Sequence, residues 1–229
     1  TSLTNDQTPD YTFSSDEAGT ITYGGSCSSS DTSADADNNT VTLNTLSDGT
    51  YSNCTIFVTD NASNASSTLS INSFTIDTTA PTLSEVTAVT TPSSDNTSSY
   101  TFSSNEAGTI TYGGSCSSST SSATSGNNTI TFNALDDGTY SNCTIIVTDN
   151  ASNSSTALSV STFVIDTTSP TLSEVTAVSS PIADSTPSYT FYSNEAGTIT
   201  YGGSCSSSTS SASASNNAIT FTALDDGTY

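Results

Sequence analysis

The 229-residue chain contains no Lys, Arg, His, Met or Trp. Each absence excludes a class of function. Without a cation the chain cannot neutralise phosphates, so nucleic-acid binding has no physical basis. An anionic membrane surface repels it for the same reason. Without His, Lys or Arg there is no imidazole base, Schiff base, arginine clamp or ordinary triad to activate the many Ser and Thr hydroxyls. The chain is therefore read as a non-enzyme. No apolar run is long enough to cross a membrane as a helix, and no stretch carries the 3.6-residue period of an amphipathic helix. What remains is a formal net charge of −22. Such a charge attracts divalent cations, and its self-repulsion favours an extended, soluble array.

The chain is a repeat. YTFSSDEAGTITYGGSCSSS begins at Tyr11, YTFSSNEAGTITYGGSCSSS at Tyr100 and YTFYSNEAGTITYGGSCSSS at Tyr189, a period of 89 residues without insertion. That length suits one small domain with its own core. The period divides the chain at 1–77, 78–166 and 167–229. The first segment lacks a counterpart of TTAPTLSEVTA and the third lacks one of SNCTIIVTDNASNSSTALSVSTFVID. The expectation is a window on a longer polypeptide, with a complete copy at 78–166. Tandem copying of this strictness is typical of stalks, fibres and surface arrays rather than enzymes.

Within 78–166 the apolar residues alternate in short runs, which predicts strands. PTLSEVTAV (81–89) is the first. SYTFS (99–103) puts Tyr100 and Phe102 on one face, and TITYG (109–113) does the same for Ile110 and Tyr112. Gly113-Gly114 suggests a tight turn or bulge. The low-complexity stretch 115–128 reads as a loop or short edge strand. TITFNAL (129–135) points Ile130 and Phe132 inward, and Asp137-Gly138 reads as a turn. NCTIIVTD (142–149) and TALSVSTFVID (156–166) complete the set. About seven short strands in such a length predict an all-β sandwich.

Cysteines stand at 27, 54, 116, 143 and 205. Cys27 to Cys54 and Cys116 to Cys143 have the same spacing, which predicts two disulfides in an oxidising, extracellular setting. Cys116 follows one predicted strand and Cys143 precedes another, so a bridge closes a loop that contains the low-complexity Ser/Thr segment. Chain-entropy bookkeeping assigns each bridge roughly 3.5 kcal/mol. N-x-S/T sequons occur at Asn53, Asn61, Asn142 and Asn150, among others, and mark glycosylation positions if the host glycosylates its surface proteins.

LDDGTYSNCTIIVTDNASN (135–153), followed by IDTTSPTLSEV (165–175), resembles the bacterial Ig-like repeats of giant secreted adhesins and biofilm-associated surface proteins. Those repeats carry a D-G-x-Y turn, a V-T-D-x-A-x-N strand end and a D-x-T-x-P junction. The resemblance implies tandem Ig-like β-sandwich domains in an elongated array at the cell surface. It makes Tyr140 the tyrosine-corner residue, three positions before Cys143 rather than the two of antibody domains. The cysteine pair also departs from the antibody pattern across the core.

In such an array the strand ends and turns of one domain face those of the next. One junction would gather Asp48 and Asp77 with Glu106, Asp149 and Asn150. The other would gather Asp137 and Asp166 with Glu195. Ca²⁺ takes six to eight hard oxygens, and the resemblance implies calcium at such linkers; the alternative is a set of solvated acidic turns. Asp31, Asp35 and Asp37 have no counterparts in the other copies and read as loop solvation. The expected function is the structural region of an extracellular adhesin stalk or cell-surface filament, stiffened by calcium, with further copies of the repeat as its partners. The alternative is a module whose Ser/Thr-rich loops bind a glycan or a cell-surface protein.

Overall fold

The computed structural model describes residues 2–229, and every regular element among them is a β-strand. The described chain divides into two compact units, Thr1–Asp166 and Thr167–Tyr229. The boundary expected after Asp77 lies inside the first unit, because side chains and backbone bond across it, as set out below.

Within residues 78–166 the strand Ser99–Ser104 pairs antiparallel with Leu83–Thr87 on one side and Gly126–Thr131 on the other. A second sheet runs in the order Ser122–Ala123, Gly108–Gly113, Thr144–Asp149, Leu158–Ser159. Alternation decides which side chains face inward. Tyr100, Phe102 and Ile130 from the first sheet and Ile110, Ile145 and Val147 from the second enter one buried cluster. Each such side chain contributes roughly 1.5–3 kcal/mol by leaving water. Phe132, Phe163 and Tyr140 extend the cluster as a stack, with ring centroids 5.9 Å apart for Phe132–Phe163 and 5.2 Å for Tyr140–Phe163.

Four details differ from the sequence-based expectation. The strand placed at 129–135 occupies Gly126–Thr131, so Phe132 and Leu135 are buried from a following irregular segment. Gly138–Tyr140, expected as turn, is a strand paired with Phe163–Ile165. The last strand is split: Leu158–Ser159 stays with Thr144–Ile145, and Phe163–Ile165 moves to Gly138–Tyr140. The chain thus changes sheet partner around Ser161-Thr162. Tyr112, expected in the core, is half-buried, because its hydroxyl reaches out to donate to Thr120 O at 2.6 Å.

Residues 2–77 repeat this pairing 89 positions earlier. Asp10–Ser15 pairs with Asp37–Thr42, and Gly19–Gly24 with Thr55–Thr59. Ser2–Thr4 runs parallel to Phe74–Ile76. Cys27 is bonded to Cys54 and Cys116 to Cys143, with Cα separations of 5.2 and 5.3 Å. Each bridge lies where its two strands meet, beside the pairs Gly24↔Thr55 and Gly113↔Thr144. Gly114 shows why the turn there needs glycine. Its φ is +73°, and a Cβ would collide with the carbonyl of Asn142.

In the second unit Ser188–Ser193 pairs with Leu172–Thr176 and with Asn216–Thr220. Gly197–Thr198 pairs only with Ser211–Ala212. Cys205 is a free thiol and half-exposed.

Candidate acidic site between the first two repeats

Three carboxylates converge inside the first unit. Oxygen atoms of Asp77, Glu106 and Asp149 all lie within 4.8 Å of one another. Asp77 follows the strand Phe74–Ile76, and its amide donates to Thr4 O at 3.0 Å. Asp149 ends the strand Thr144–Asp149. Glu106 sits in the turn after Ser99–Ser104, where the Ser104 hydroxyl donates to Glu106 O at 2.6 Å. One ligand candidate thus belongs to the first sequence repeat and two to the second.

Asp149 is the organising residue, only 9% exposed. Its Oδ1 accepts the amides of Ala151 at 2.8 Å and Asn153 at 2.9 Å, and its Oδ2 accepts Asn153 Nδ2 at 2.9 Å. An Asp that bonds the backbone two residues on makes a local turn without help from a sheet. Asn153 Nδ2 also donates to Asp77 O at 2.8 Å and so ties the two repeats directly. The same turn occurs in the first repeat, where Asn64 N and Nδ2 donate to Asp60 at 2.8 and 2.9 Å. Those bonds hold the Asp60 carboxyl below the usual range.

Glu106 shows the electrostatic cost of the cluster. Burial, followed by the charges of Asp77 and Asp149, pushes its carboxyl above the usual range. One partner opposes this, the Asn105 Nδ2 group at 3.2 Å from Oε1. No cationic side chain exists in the chain to relieve it. The oxygen set suits a hard cation: carboxylate oxygens this close can share one ion at the 2.3–2.6 Å typical of calcium.

Asp48, expected in this group, is engaged elsewhere. Its Oδ1 accepts Thr78 N at 3.0 Å and Thr78 Oγ1 at 2.8 Å, and its Oδ2 accepts Thr79 Oγ1 at 2.9 Å. The Thr78 and Thr79 hydroxyls hold its carboxyl below the usual range. It clamps the segment that follows Asp77 rather than joining the triad. Asn150 is exposed, and Asn153 takes the place expected for it beside the carboxylates. The signal for Asn153 was present in the D-N-A-S-N spacing, which recurs in both repeats. Asp137 and Asp166 belong to the first unit and Glu195 to the second. Asp166 N donates to Ser93 O at 2.9 Å, and Glu195 accepts Asn194 Nδ2 at 3.2 Å.

The Ser/Thr-rich loops are tied to their own frame. Ser29, Ser118 and Ser207 each donate to a carbonyl thirteen residues on, at 2.6, 2.6 and 2.7 Å. Tyr23, Tyr112 and Tyr201 clamp the same loops through Asp31 O, Thr120 O and Thr209 O. No protein-family model matches the chain, and no curated protein matches it.

Proposed function

We propose that this chain is a structural segment of an extracellular adhesin stalk or cell-surface filament, built from tandem Ig-like β-sandwich domains divided at 1–77, 78–166 and 167–229. Calcium held by Asp77, Glu106 and Asp149 stiffens the first junction. The observation that carries the reading is the convergence of those three carboxylates from both sides of a repeat boundary, in a chain without one cation.

Several features support the domain reading. Two facing sheets supply one core in residues 78–166. The Tyr140 hydroxyl donates to Asp136 O at 2.9 Å, four residues upstream, as a tyrosine corner does. Tyr51 and Tyr229 repeat the bond to Ser47 O and Asp225 O. Two disulfides fit an oxidising compartment, and no helix is long and apolar enough to cross a membrane. One hydroxyl at the same place in each loop, Ser29, Ser118 and Ser207, is spent on the loop's own frame, which supports a spacer over a reader of ligands.

Mechanically, Asp149 is fixed by its turn and Asp77 by its strand, so both ends of the bridge are rigid. Asn153 already links the Asp77 carbonyl to the Asp149 carboxylate. A bound cation removes the mutual repulsion of the three carboxylates and adds stiffness across the boundary. Small-angle scattering and calcium titration calorimetry test this on the intact chain. Chelation should increase flexibility without unfolding the cores, and Asp149→Asn should abolish calorimetric binding. Equal maximum dimensions with and without chelator, together with no calcium binding, would show that the carboxylates are solvated turns.

A further inference from the structure

Nine N-x-S/T sequons lie in the chain. A folded sequon must meet three conditions to receive a sugar. Its asparagine amide must be exposed and unbonded, the hydroxyl two residues on must be free, and the backbone between them must stand clear of a strand.

The structure removes seven of the nine. Asn64 and Asn153 spend the amide, because their Nδ2 groups donate to Asp60 Oδ2 and Asp149 Oδ2, at 2.9 Å in both turns. Their hydroxyls are engaged as well: Ser66 and Ser155 accept the amides of Val58 and Val147 at 3.0 Å. Asn53 and Asn142 precede buried, disulfide-bonded cysteines, and the threonine two residues on begins a strand. Their Oδ1 atoms also accept the amides of Ser26 and Ser115 at 3.2 Å. Asn38 and Asn127 lie within strands, and the hydroxyls that follow them, on Thr40 and Thr129, bond across to Thr12 and Thr101 at 2.9 and 2.8 Å. At Asn96 the hydroxyl belongs to Ser98, which is buried and donates to Asp95 O.

Two sequons remain, at the same place in successive copies. Asn61-Ala62-Ser63 and Asn150-Ala151-Ser152 form the tips of the Asp60–Asn64 and Asp149–Asn153 turns. Asn61, Ser63, Asn150 and Ser152 are exposed, and their side chains have no hydrogen-bond partner among the described residues. Ser63 and Ser152 take left-handed φ values of 69° and 75°, so the chain reverses sharply at the tip. Asp60 and Asp149 hold the turns through Asn64 and Asn153. Each tip is thus fixed without using its own polar side chains.

We infer that Asn61 and Asn150 are the N-glycan acceptors of the folded chain and that the fold silences the other seven sequons. The co-substrate is a sugar whose anomeric carbon carries a diphosphate leaving group, linked to a lipid or to a nucleoside. Asparagine Nδ2 bonds to the anomeric carbon as the bond to the diphosphate breaks. The diphosphate leaves with the electron pair, and a carboxylate base of the transferase takes the amide proton. The inference rests on neither calcium nor the stalk reading, so its failure leaves the scattering and calorimetry experiments untouched.

The test treats the oxidised 229-residue chain in two arms. One holds a soluble N-glycosyltransferase with UDP-glucose, the other an oligosaccharyltransferase with its lipid-linked oligosaccharide. Peptides carrying one sequon each are the unfolded references. Mass spectrometry should place sugar at Asn61 and Asn150 in at least one arm, and the productive arm names the donor. Occupancy of Asn64 and Asn153 should be lower by about tenfold or more in the folded chain, although their peptides are accepted. Asn61→Gln and Asn150→Gln should each remove one glycan. Ser63→Ala should remove the glycan at Asn61 without changing the circular-dichroism spectrum. Absence of transfer to the folded chain in both arms would overturn the inference. So would occupancy of Asn53, Asn64, Asn142 or Asn153 equal to that of Asn61 and Asn150. Rejection of the Asn64 and Asn153 peptides would overturn it too, because sequence rather than fold would then be the selector.

Discussion

Phe132 offers the sharpest test of how the 78–166 core is held. It is 1% exposed and stands between Tyr100 and Phe163, at ring distances of 6.1 and 5.9 Å. Phe132→Ala removes the whole ring and leaves a cavity, which costs about 3–5 kcal/mol in a close-packed core. The two stacking contacts, about 0.5–1.5 kcal/mol each, place the cost toward the upper end. The molecule contains its own control. The corresponding position in the first repeat is Leu43, also buried. Phe132→Leu should therefore cost much less, about 1.5 kcal/mol, by keeping most of the apolar volume. Against a typical domain stability of about 5–15 kcal/mol, the Ala variant threatens the fold and the Leu variant does not. Hydrogen exchange in urea, read on peptides from 78–166, measures both changes locally. Equal costs for Ala and Leu, or a cost below about 1 kcal/mol for Ala, would falsify the stacked-core account.

Other perturbations follow from the same geometry. Replacing Cys116 and Cys143 together with Ser should lower the stability of 78–166 by about 3.5 kcal/mol, measured by urea melts of the oxidised parent and the variant. The buried Tyr100 hydroxyl lies near the Glu85 carboxylate but meets no partner with hydrogen-bond geometry; Tyr100→Phe should be neutral or stabilising by up to about 1 kcal/mol in the same melts. Glu106 is raised in the folded chain, so its contribution to stability falls as pH rises from about 4.3 through its folded value and stays low above it. Glu106→Gln should therefore stabilise the metal-free chain above that window, with little effect below it, in melts run at pH 3.5 and pH 7. The same variant should weaken calcium binding in calorimetry.

Period-two alternation made the inward faces legible. Tyr100 with Phe102, and Ile145 with Val147, could be placed before any coordinate was known, because only a strand puts both members on one face. Equal cysteine spacing in two copies made the pairing legible in the same way. Elements that depend on a change of partner were not. Phe163–Ile165 leaves one sheet for another, and no periodicity records which neighbour a strand selects. Gly138–Tyr140 hid behind an Asp-Gly turn signal, although its pairing with Phe163–Ile165 makes it a strand. At the acidic site, the closeness of Asp77, Glu106 and Asp149 could be anticipated from strand ends meeting turns. Asp48 stands outside that group of three, its carboxylate taken up by two hydroxyls and an amide of Thr78 and Thr79, and no spacing in the sequence records that local choice.

The contrast between two copies of one turn shows how position creates the junction. Asp60–Asn64 and Asp149–Asn153 share sequence, backbone bonds and a Ser at positive φ, 69° at Ser63 and 75° at Ser152. Asp60 and Asn64 serve only each other and their own backbone, and the Asn64 side chain is exposed. At Asp149 the identical turn is buried against the preceding repeat, and the same amide nitrogen reaches the Asp77 carbonyl. Nothing was added to the sequence to make this contact. A turn that is self-sufficient in water becomes a connector once another repeat presents a carbonyl and a carboxylate to it. The cost is paid by Glu106, whose carboxyl must share that space with two others. A shared divalent cation would relieve repulsion of this sort, so under the calcium proposal the copied turn supplies both the contact between repeats and the reason for a cation to bind beside it.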